Sequence, residues 1–340
     1  MLTFNQKPMN TGSPTGTSSP DFSDDTYAEW DSFETIDAIR NAISVYHNVE
    51  LIEANEECFG KYVSIKPDVV FNISEGRNGR SREAQIPAIL EMLDIPYTGS
   101  DPWTLTTCLD KQRTKEYLSY HNIPTPKFLV VSKASDFENF SLKFPVIIKP
   151  IAEGSSKGIF NSSIFSDYAT LESSVLQKIK EYNQPFLVEE FLEGREFTVG
   201  ILGNTNNAVV LPIVEINFES LPADLNPIYS YEAKWIYDTT ENPLDIFDCP
   251  ANLNKELESE IKQIALQAFN IFNCKDWCRI DIRLDKENKP NVIELNPLPG
   301  VLPNPRDNSC LPKAARTFGL SYNELINSVL NFAIERYNID

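Results

Sequence analysis

Apolar positions along the chain change period several times, and each period predicts an element. From Glu34, the residues Ile36, Ile39, Ile43 and Val45 approximate helical spacing, and Val49–Ile52 reads as a short strand. Val69-Val70-Phe71-Asn72-Ile73 is a β-branched run suited to a buried parallel strand. Glu83–Leu93 predicts a helix, and Gly99-Ser100-Asp101-Pro102 breaks the pattern. This alternation of strand and helix predicts an open α/β lobe over residues 1–103. A mixed α+β lobe is expected over 104–195: a helix at Thr104–Tyr120, strands at Phe128–Val131 and Val146–Lys149, a helix at Ala169–Ile179 and a strand at Phe186–Glu190. A third lobe, 196–340, opens with strands Phe197–Leu202 and Ala208–Val214 and a long polar connection, Ser230–Asp248. Leu257, Ile261, Ile264, Ala265 and Phe269 then mark an amphipathic helix over Glu256–Phe272. Strands Arg279–Leu284 and Asn291–Glu294 follow, joined by a hairpin-like turn. Residues Asn10–Asp25, rich in Ser, Thr, Gly, Pro and Asp, read as a flexible loop or arm.

Composition narrows the class. With 41 % apolar and 11 % aromatic residues the chain can bury a large core, and 340 residues exceed one core, which agrees with two or three lobes. A net charge of −19 argues against a nucleic-acid backbone or an anionic membrane as the main partner. No apolar run reaches the roughly 18 residues of a membrane span, and the N-terminal segment lacks the apolar centre of a signal peptide. Six cysteines are too sparse for a disulfide scaffold. Cys274 and Cys278 lack a second pair, and His47 and His121 lie far off in sequence, so buried apolar thiols are expected rather than zinc ligands. A cytoplasmic protein is the expectation.

Three sets of residues carry candidate chemistry. The run Lys149-Pro150-Ile151-Ala152-Glu153-Gly154-Ser155-Ser156-Lys157-Gly158 ends a buried strand on a lysine and continues into a loop able to place N–H groups around phosphate oxygens. Alternation along two strands could put Asp281, Glu294 and Asn296 on one face, with Arg279 beside Asp281. Such hard oxygen donors suit Mg²⁺ shared with nucleotide phosphates, and an arginine there could clamp developing negative charge. Val188-Glu189-Glu190-Phe191-Leu192-Glu193-Gly194-Arg195-Glu196 could offer backbone hydrogen bonds to adenine and a carboxylate to ribose. Taken singly, each set is equally an ordinary loop, a solvated strand face or an acidic turn.

Together and in this order they resemble the ATP-grasp superfamily, specifically the D-alanine–D-alanine ligase family. The resemblance runs from about Val69 to Tyr337. It includes Ile95-Pro96-Tyr97-Thr98-Gly99-Ser100, Leu109-Asp110-Lys111 with Lys115, Ile123-Pro124-Thr125-Pro126, Tyr231-Glu232-Ala233-Lys234, Asn296-Pro297-Leu298-Pro299-Gly300, Pro312-Lys313-Ala314-Ala315-Arg316 and Leu320-Ser321-Tyr322. It implies three lobes with ATP between the last two, and an ADP-forming carboxylate–amine ligase that joins amino acids or a small peptide through an acyl phosphate. It further implies two Mg²⁺ ions, replaceable by Mn²⁺, held by Asp281, Glu294 and Asn296. Lys111 and Lys149 fall to the ATP phosphates, and Ser155 and Ser156 to the phosphate loop, Ser155 also ordering the first-substrate side. Glu189, Glu190 and Leu192 fall to the adenine hinge, Glu196 to ribose, and Lys234 to a lid near the γ-phosphate. Arg279 and the Gly300 amide stabilise the tetrahedral intermediate, and Ser309 meets the second substrate's carboxylate. The partners implied are small molecules, with neither nucleic acid nor membrane, and a homodimer is compatible.

Departures from the family concentrate on the first substrate. Asp24-Asp25-Thr26-Tyr27-Ala28-Glu29-Trp30-Asp31-Ser32 stands where the family has a glycine-rich loop, and either Glu29 or Asp31 could bind an ammonium. Glu75-Gly76 replaces a His-Gly, Arg80-Ser81 a Glu-Asp, and Trp235 the tyrosine after the lid lysine, while Val301–Asn308 enlarges the loop before Ser309. These changes lead us to expect Arg80, with Arg82 beside it, to fork a second acid group of the substrate or a peptide C-terminus. Glu75 would hold an ammonium or pair with the arginines. Two other readings stay open: a genuine D-alanine–D-alanine ligase of cell-wall synthesis, and a non-catalytic nucleotide-binding regulator.

Overall fold

The computed structural model describes residues 1–8, 27, 29–205, 207–239 and 243–339; the arm expected at 10–25 lies outside them. Three sheets organise the chain. In the first, β1 (Leu2–Phe4) runs between parallel β2 (Leu51–Glu53) and β3 (Phe71–Asn72), and Val70 bridges to Tyr97. The sequence pattern does not reveal β1, because three buried residues are too few to show a period. The helices of this region are α1 (Phe33–Ser44), α2 (Cys58–Ile65), which sequence reading also missed, and α3 (Gln85–Met92) after a 3₁₀ turn at Arg82–Ala84.

The single helix expected over Thr104–Tyr120 is two: α4 (Pro102–Leu109) and α5 (Lys111–Tyr120). Asp110 between them is extended, and its carboxylate accepts from the Gln112 and Arg113 N–H groups, so it caps the second helix and breaks the first. This break directs Lys111 toward the strand end at Ile151, whose carbonyl takes its N–H at 2.9 Å.

The second sheet is antiparallel, β4 (Phe128–Val131), β5 (Val146–Pro150), β6 (Ile164–Phe165) and β7 (Phe186–Glu190) in the order β4-β7-β5-β6, and α6 (Tyr168–Tyr182) packs on it. The third comprises β8 (Glu196–Leu202), β9 (Val209–Val210), β10 (Val214–Ile216), β11 (Phe247–Asp248), β12 (Trp277–Leu284) and β13 (Pro290–Asn296), in the order β11-β10-β8-β12-β13 with β9 also on β8. The strand expected at Ala208–Val214 is thus divided between β9 and β10. Helix α7 (Lys255–Ile271) buries Ile261, Ala265, Ala268 and Phe269 against this sheet, as its spacing predicts.

Two helices close the chain, α8 (Cys310–Phe318) and α9 (Tyr322–Tyr337). Helix α9 packs on α1, and the Asn327 side-chain amide donates to the Ala42 carbonyl at 2.9 Å. Leu2, Phe4, Ile36 and Ile39 share one apolar core with Trp277, Leu311, Leu325 and Val329. The packing therefore crosses the lobe bounds drawn from sequence: the first sheet is covered by the last helix.

Candidate active site

A cavity of about 370 Å³ is lined by residues of the second and third sheets and by residues that follow strands of the first, among them Lys7 and Ile73. Its phosphate-loop wall follows β5. Ser155 and Ser156 both take left-handed backbone angles, φ 51° and 61°, which turns successive N–H groups in a way ordinary residues resist. Gly154 lies next to them; its N–H donates to Glu29 Oε1 at 2.6 Å, and a Cβ there would lie 2.6 Å from the same oxygen, so a side chain would have to displace the Glu29 carboxylate. The connection expected as a lid is folded down on this loop. Ser156 Oγ donates to the Tyr229 carbonyl at 2.8 Å, Trp235 Nε1 to the Ser155 carbonyl at 3.1 Å, and the Asn161 N–H to Glu232 at 3.0 Å. A π-helical turn, Ala233–Tyr237, carries Lys234 and Trp235. The Asn308 amide, from the enlarged loop, donates to both carboxylate oxygens of Asp238 at 2.7 and 2.9 Å and fastens the other end of the segment.

Charged groups on the sheet side are matched in pairs. Glu189, at the end of β7, meets Lys149 at 2.5 Å and Lys115 at 2.6 Å. Burial alone would raise the Glu189 carboxyl, but the two ammoniums hold it down at about 2. Burial lowers Lys115, against Glu189. Glu196 meets Arg283 at 2.8 Å. Glu190 and Leu192 line the cavity beside them, and the Glu190 carboxylate accepts the Lys143 N–H at 3.0 Å.

On β12 and β13 the register sets Arg279 opposite Asn296 and Asp281 opposite Glu294, with a shift just after Asp281. Asp281 Oδ2 accepts from Arg279 at 3.0 Å and Asn296 at 3.2 Å, and Oδ1 from Thr198 at 2.5 Å. Glu294 pairs with Lys111 at 3.0 Å; burial would raise its carboxyl, and Lys111 brings it below the usual range. Lys111 also donates to the Glu153 carbonyl at 2.5 Å, so it stands behind Glu294 and not on the cavity wall. Arg279 Nε is buried and finds no hydrogen-bond partner among the described residues. Lys234, in the same cavity, is pushed down to about 8 by burial and then by Arg279. Gly300 and Ser309 line the far wall, where Ser309 Oγ accepts the Leu302 N–H at 3.2 Å. Two carboxylates and an amide oxygen are hard donors that fit Mg²⁺ only with oxygens from another source, since no group of three or more His, Cys, Asp or Glu side chains among the described residues could hold a metal alone.

The first-substrate side departs from the expectation. Arg80 does not reach the cavity: its half-exposed guanidinium pairs with Asp110, whose carboxylate is placed there by the helix break. Arg82 is already bound, bidentate to Glu29 at 2.6 and 3.1 Å and to the Ala152 carbonyl at 2.8 Å. Glu29, Asp31, Glu75, Glu83, Lys7 and Trp30 line this end instead. Sequence reading missed Lys7, Glu83, Thr198 and Arg283. Lys7 follows a strand too short to recognise, and the other three carry no local spacing signal.

The crystal structure of D-alanine–D-alanine ligase from Bacillus anthracis complexed with ATP aligns with 99 % of this chain and 98 % of its own, with a TM-score of 0.70 and 21 % identity. Residues 118–331 match the family model described as D-ala D-ala ligase C-terminus. Fold and family model define an ATP-grasp carbon–nitrogen ligase. The chain is 35 % identical over 269 residues to an uncharacterized protein of Sinorhizobium fredii, covering 79 % of this chain and 75 % of that one. It is 34 % identical over 263 residues to a D-alanine–D-alanine ligase of Bordetella avium, covering 77 % and 76 %. The chain belongs to the D-alanine–D-alanine ligase family. Among the described residues no helix is long and apolar enough to cross a membrane.

Proposed function

We propose that the protein activates the carboxylate of one amino acid or small peptide with ATP and joins it to the amine of a second. The observation that carries this reading is the in-register set Arg279, Asp281, Glu294 and Asn296 opening on the same cavity as the phosphate loop. The carboxylate oxygen attacks the γ-phosphorus and ADP leaves, giving an acyl phosphate. The amine nitrogen then attacks the acyl carbon, loses a proton, and phosphate departs carrying the original carboxylate oxygen.

Lys149 and Lys234 supply positive charge to the phosphates, and the Ser155–Ser156 turn offers N–H groups. Asp281, Glu294 and Asn296 would hold Mg²⁺, which neutralises charge on the transferring phosphoryl group. Arg279, with its free Nε, and the Gly300 amide receive the oxyanion of the second step. Glu190 and Leu192 border the adenine, Glu196 the ribose, and Ser309 the second substrate's carboxylate. The lid excludes water, which would otherwise hydrolyse the acyl phosphate. Lys111 acts one layer behind, positioning Glu294, and Glu189 on the cavity wall positions Lys149. The Bordetella relative is named for D-alanine, but the rebuilt Glu29–Glu83 wall favours a different first substrate here.

The test supplies MgATP and an amino-acid panel labelled with oxygen-18 in the carboxylate. Amino-acid-dependent ADP with labelled phosphate is expected. ADP release that no amino acid stimulates, or phosphate without label, removes the reading.

A further inference from the structure

The first-substrate end of the cavity carries more acid than the nearby cations match. Glu29, Asp31, Glu75 and Glu83 all line it. Glu29 is satisfied by Arg82 and by the Gly154 N–H. Asp31 faces Lys7, whose ammonium also lies 4.5 Å over the Trp235 ring. Among the described residues Glu75 and Glu83 have neither a hydrogen bond nor an ion pair, and both line the cavity.

The cations whose fields reach these two carboxyls are Arg82 and, for Glu83, Lys111. Both are engaged elsewhere, Arg82 with Glu29 and the Ala152 carbonyl, Lys111 with Glu294 and the Glu153 carbonyl. In consequence burial, then like charge, raises both carboxyls: Glu75 well above the ordinary range, through Glu83, Glu29 and Asp31, and Glu83 to about 8, through Glu29. An amino acid's α-ammonium needs only one acidic partner, and this end of the cavity offers two unengaged carboxyls, Glu75 and Glu83. Ile73 and Trp30 line the same end and offer apolar surface for an aliphatic stem.

Resting on the ligase reading above, we propose that the first substrate is an amino acid bearing a second cationic nitrogen group, an ammonium or a guanidinium, received by Glu75 and Glu83. This reverses the expectation drawn from Arg80, which called for a second acid group. The cation supplies the partner the chain withholds, and a charge-assisted contact discriminates against a neutral isostere by about ten- to a hundredfold.

The experiment measures amino-acid-dependent ADP formation and product mass with the D and L forms of ornithine, lysine and arginine, their neutral counterparts norleucine and citrulline, alanine, and glutamate. Basic amino acids are expected to exceed the neutral counterparts in kcat/KM by at least about tenfold. In Glu75→Gln and Glu83→Gln the KM for the basic substrate should rise and the preference over norleucine should shrink, while an unchanged KM for ATP shows the fold intact. Alanine or norleucine used as well as the basic amino acids overturns the proposal and leaves the ligase reading standing. So does unchanged selectivity in both variants. No amino-acid-dependent ADP with any member of the panel overturns the ligase reading, and this proposal with it.

Discussion

The two ends of the cavity handle charge in opposite ways. Around the phosphate loop and the β12–β13 face, Lys149 and Lys115 meet Glu189, Lys111 meets Glu294, Arg279 meets Asp281, and Arg283 meets Glu196. At the other end, Glu75 and Glu83 face the cavity without a counter-ion among the described residues. The first end is organised by the chain itself, so its side chains stand in place before any ligand arrives. The second is completed from outside, which makes it the region where relatives sharing one fold can differ in substrate.

The most severe break in the matched end is Glu189→Gln, which strands two buried ammoniums. Loss of about 3–5 kcal/mol is expected in denaturant unfolding; a change below about 0.5 kcal/mol, the level of an ordinary surface substitution, would mean the pairs contribute little. Arg279→Met removes the donor aimed at the developing oxyanion and should lower kcat by about 10²–10³-fold with little change in ATP affinity. Single-turnover kinetics separate the two, and a loss confined to ATP binding would move Arg279 from the second step to the first.

The unmatched end gives a pH signature in the ligand-free protein. Folded Glu83 titrates at about 8, against an ordinary carboxylate value when unfolded. Between those values the folded state holds a proton that the unfolded chain has released, so stability falls as pH rises through that window. The decline attributable to this group is of the order of a few kcal/mol. Unfolding free energies at pH 5 and 8 should show it, and Glu83→Gln should flatten it; a slope unaffected by that substitution assigns it to other groups. The smallest effect concerns the junction of the ends. Trp235→Phe keeps the ring but loses the N–H to Ser155, about 1 kcal/mol, or roughly fivefold faster amide exchange across 229–235. Unaltered exchange there would show that the Ser156, Asn161 and Asn308 contacts hold the lid without it.

How much of this was readable without coordinates follows the same division. The residues proposed to hold the metal announce themselves because strand alternation fixes them: once β12 and β13 pair, Asp281 and Glu294 face each other. Long periodic segments such as α7 were legible for a similar reason. The break at Asp110 was not, since an aspartate within a helical pattern acts as a cap only when the backbone before it turns away. Arg80 was misjudged through that same residue. Its partner lies 30 positions on, and nothing local ties them. The pairing of Lys115 with Glu189 and the convergence of Glu75 and Glu83 with Glu29 likewise depend on contacts across the fold.

The cover that α9 provides for the first sheet has a consequence for biosynthesis. Strand β1 leaves the ribosome long before α9, yet its apolar neighbours include Leu325 and Val329, and α1 receives the Asn327 amide. The first sheet therefore waits, with part of its apolar surface uncovered, until α9 has been translated. The central sheet, whose strand contacts are closer in sequence, can form meanwhile. The nascent chain thus builds a phosphate-binding loop before the acidic wall opposite it is secured, and the interval between the two is when it depends most on protection from aggregation.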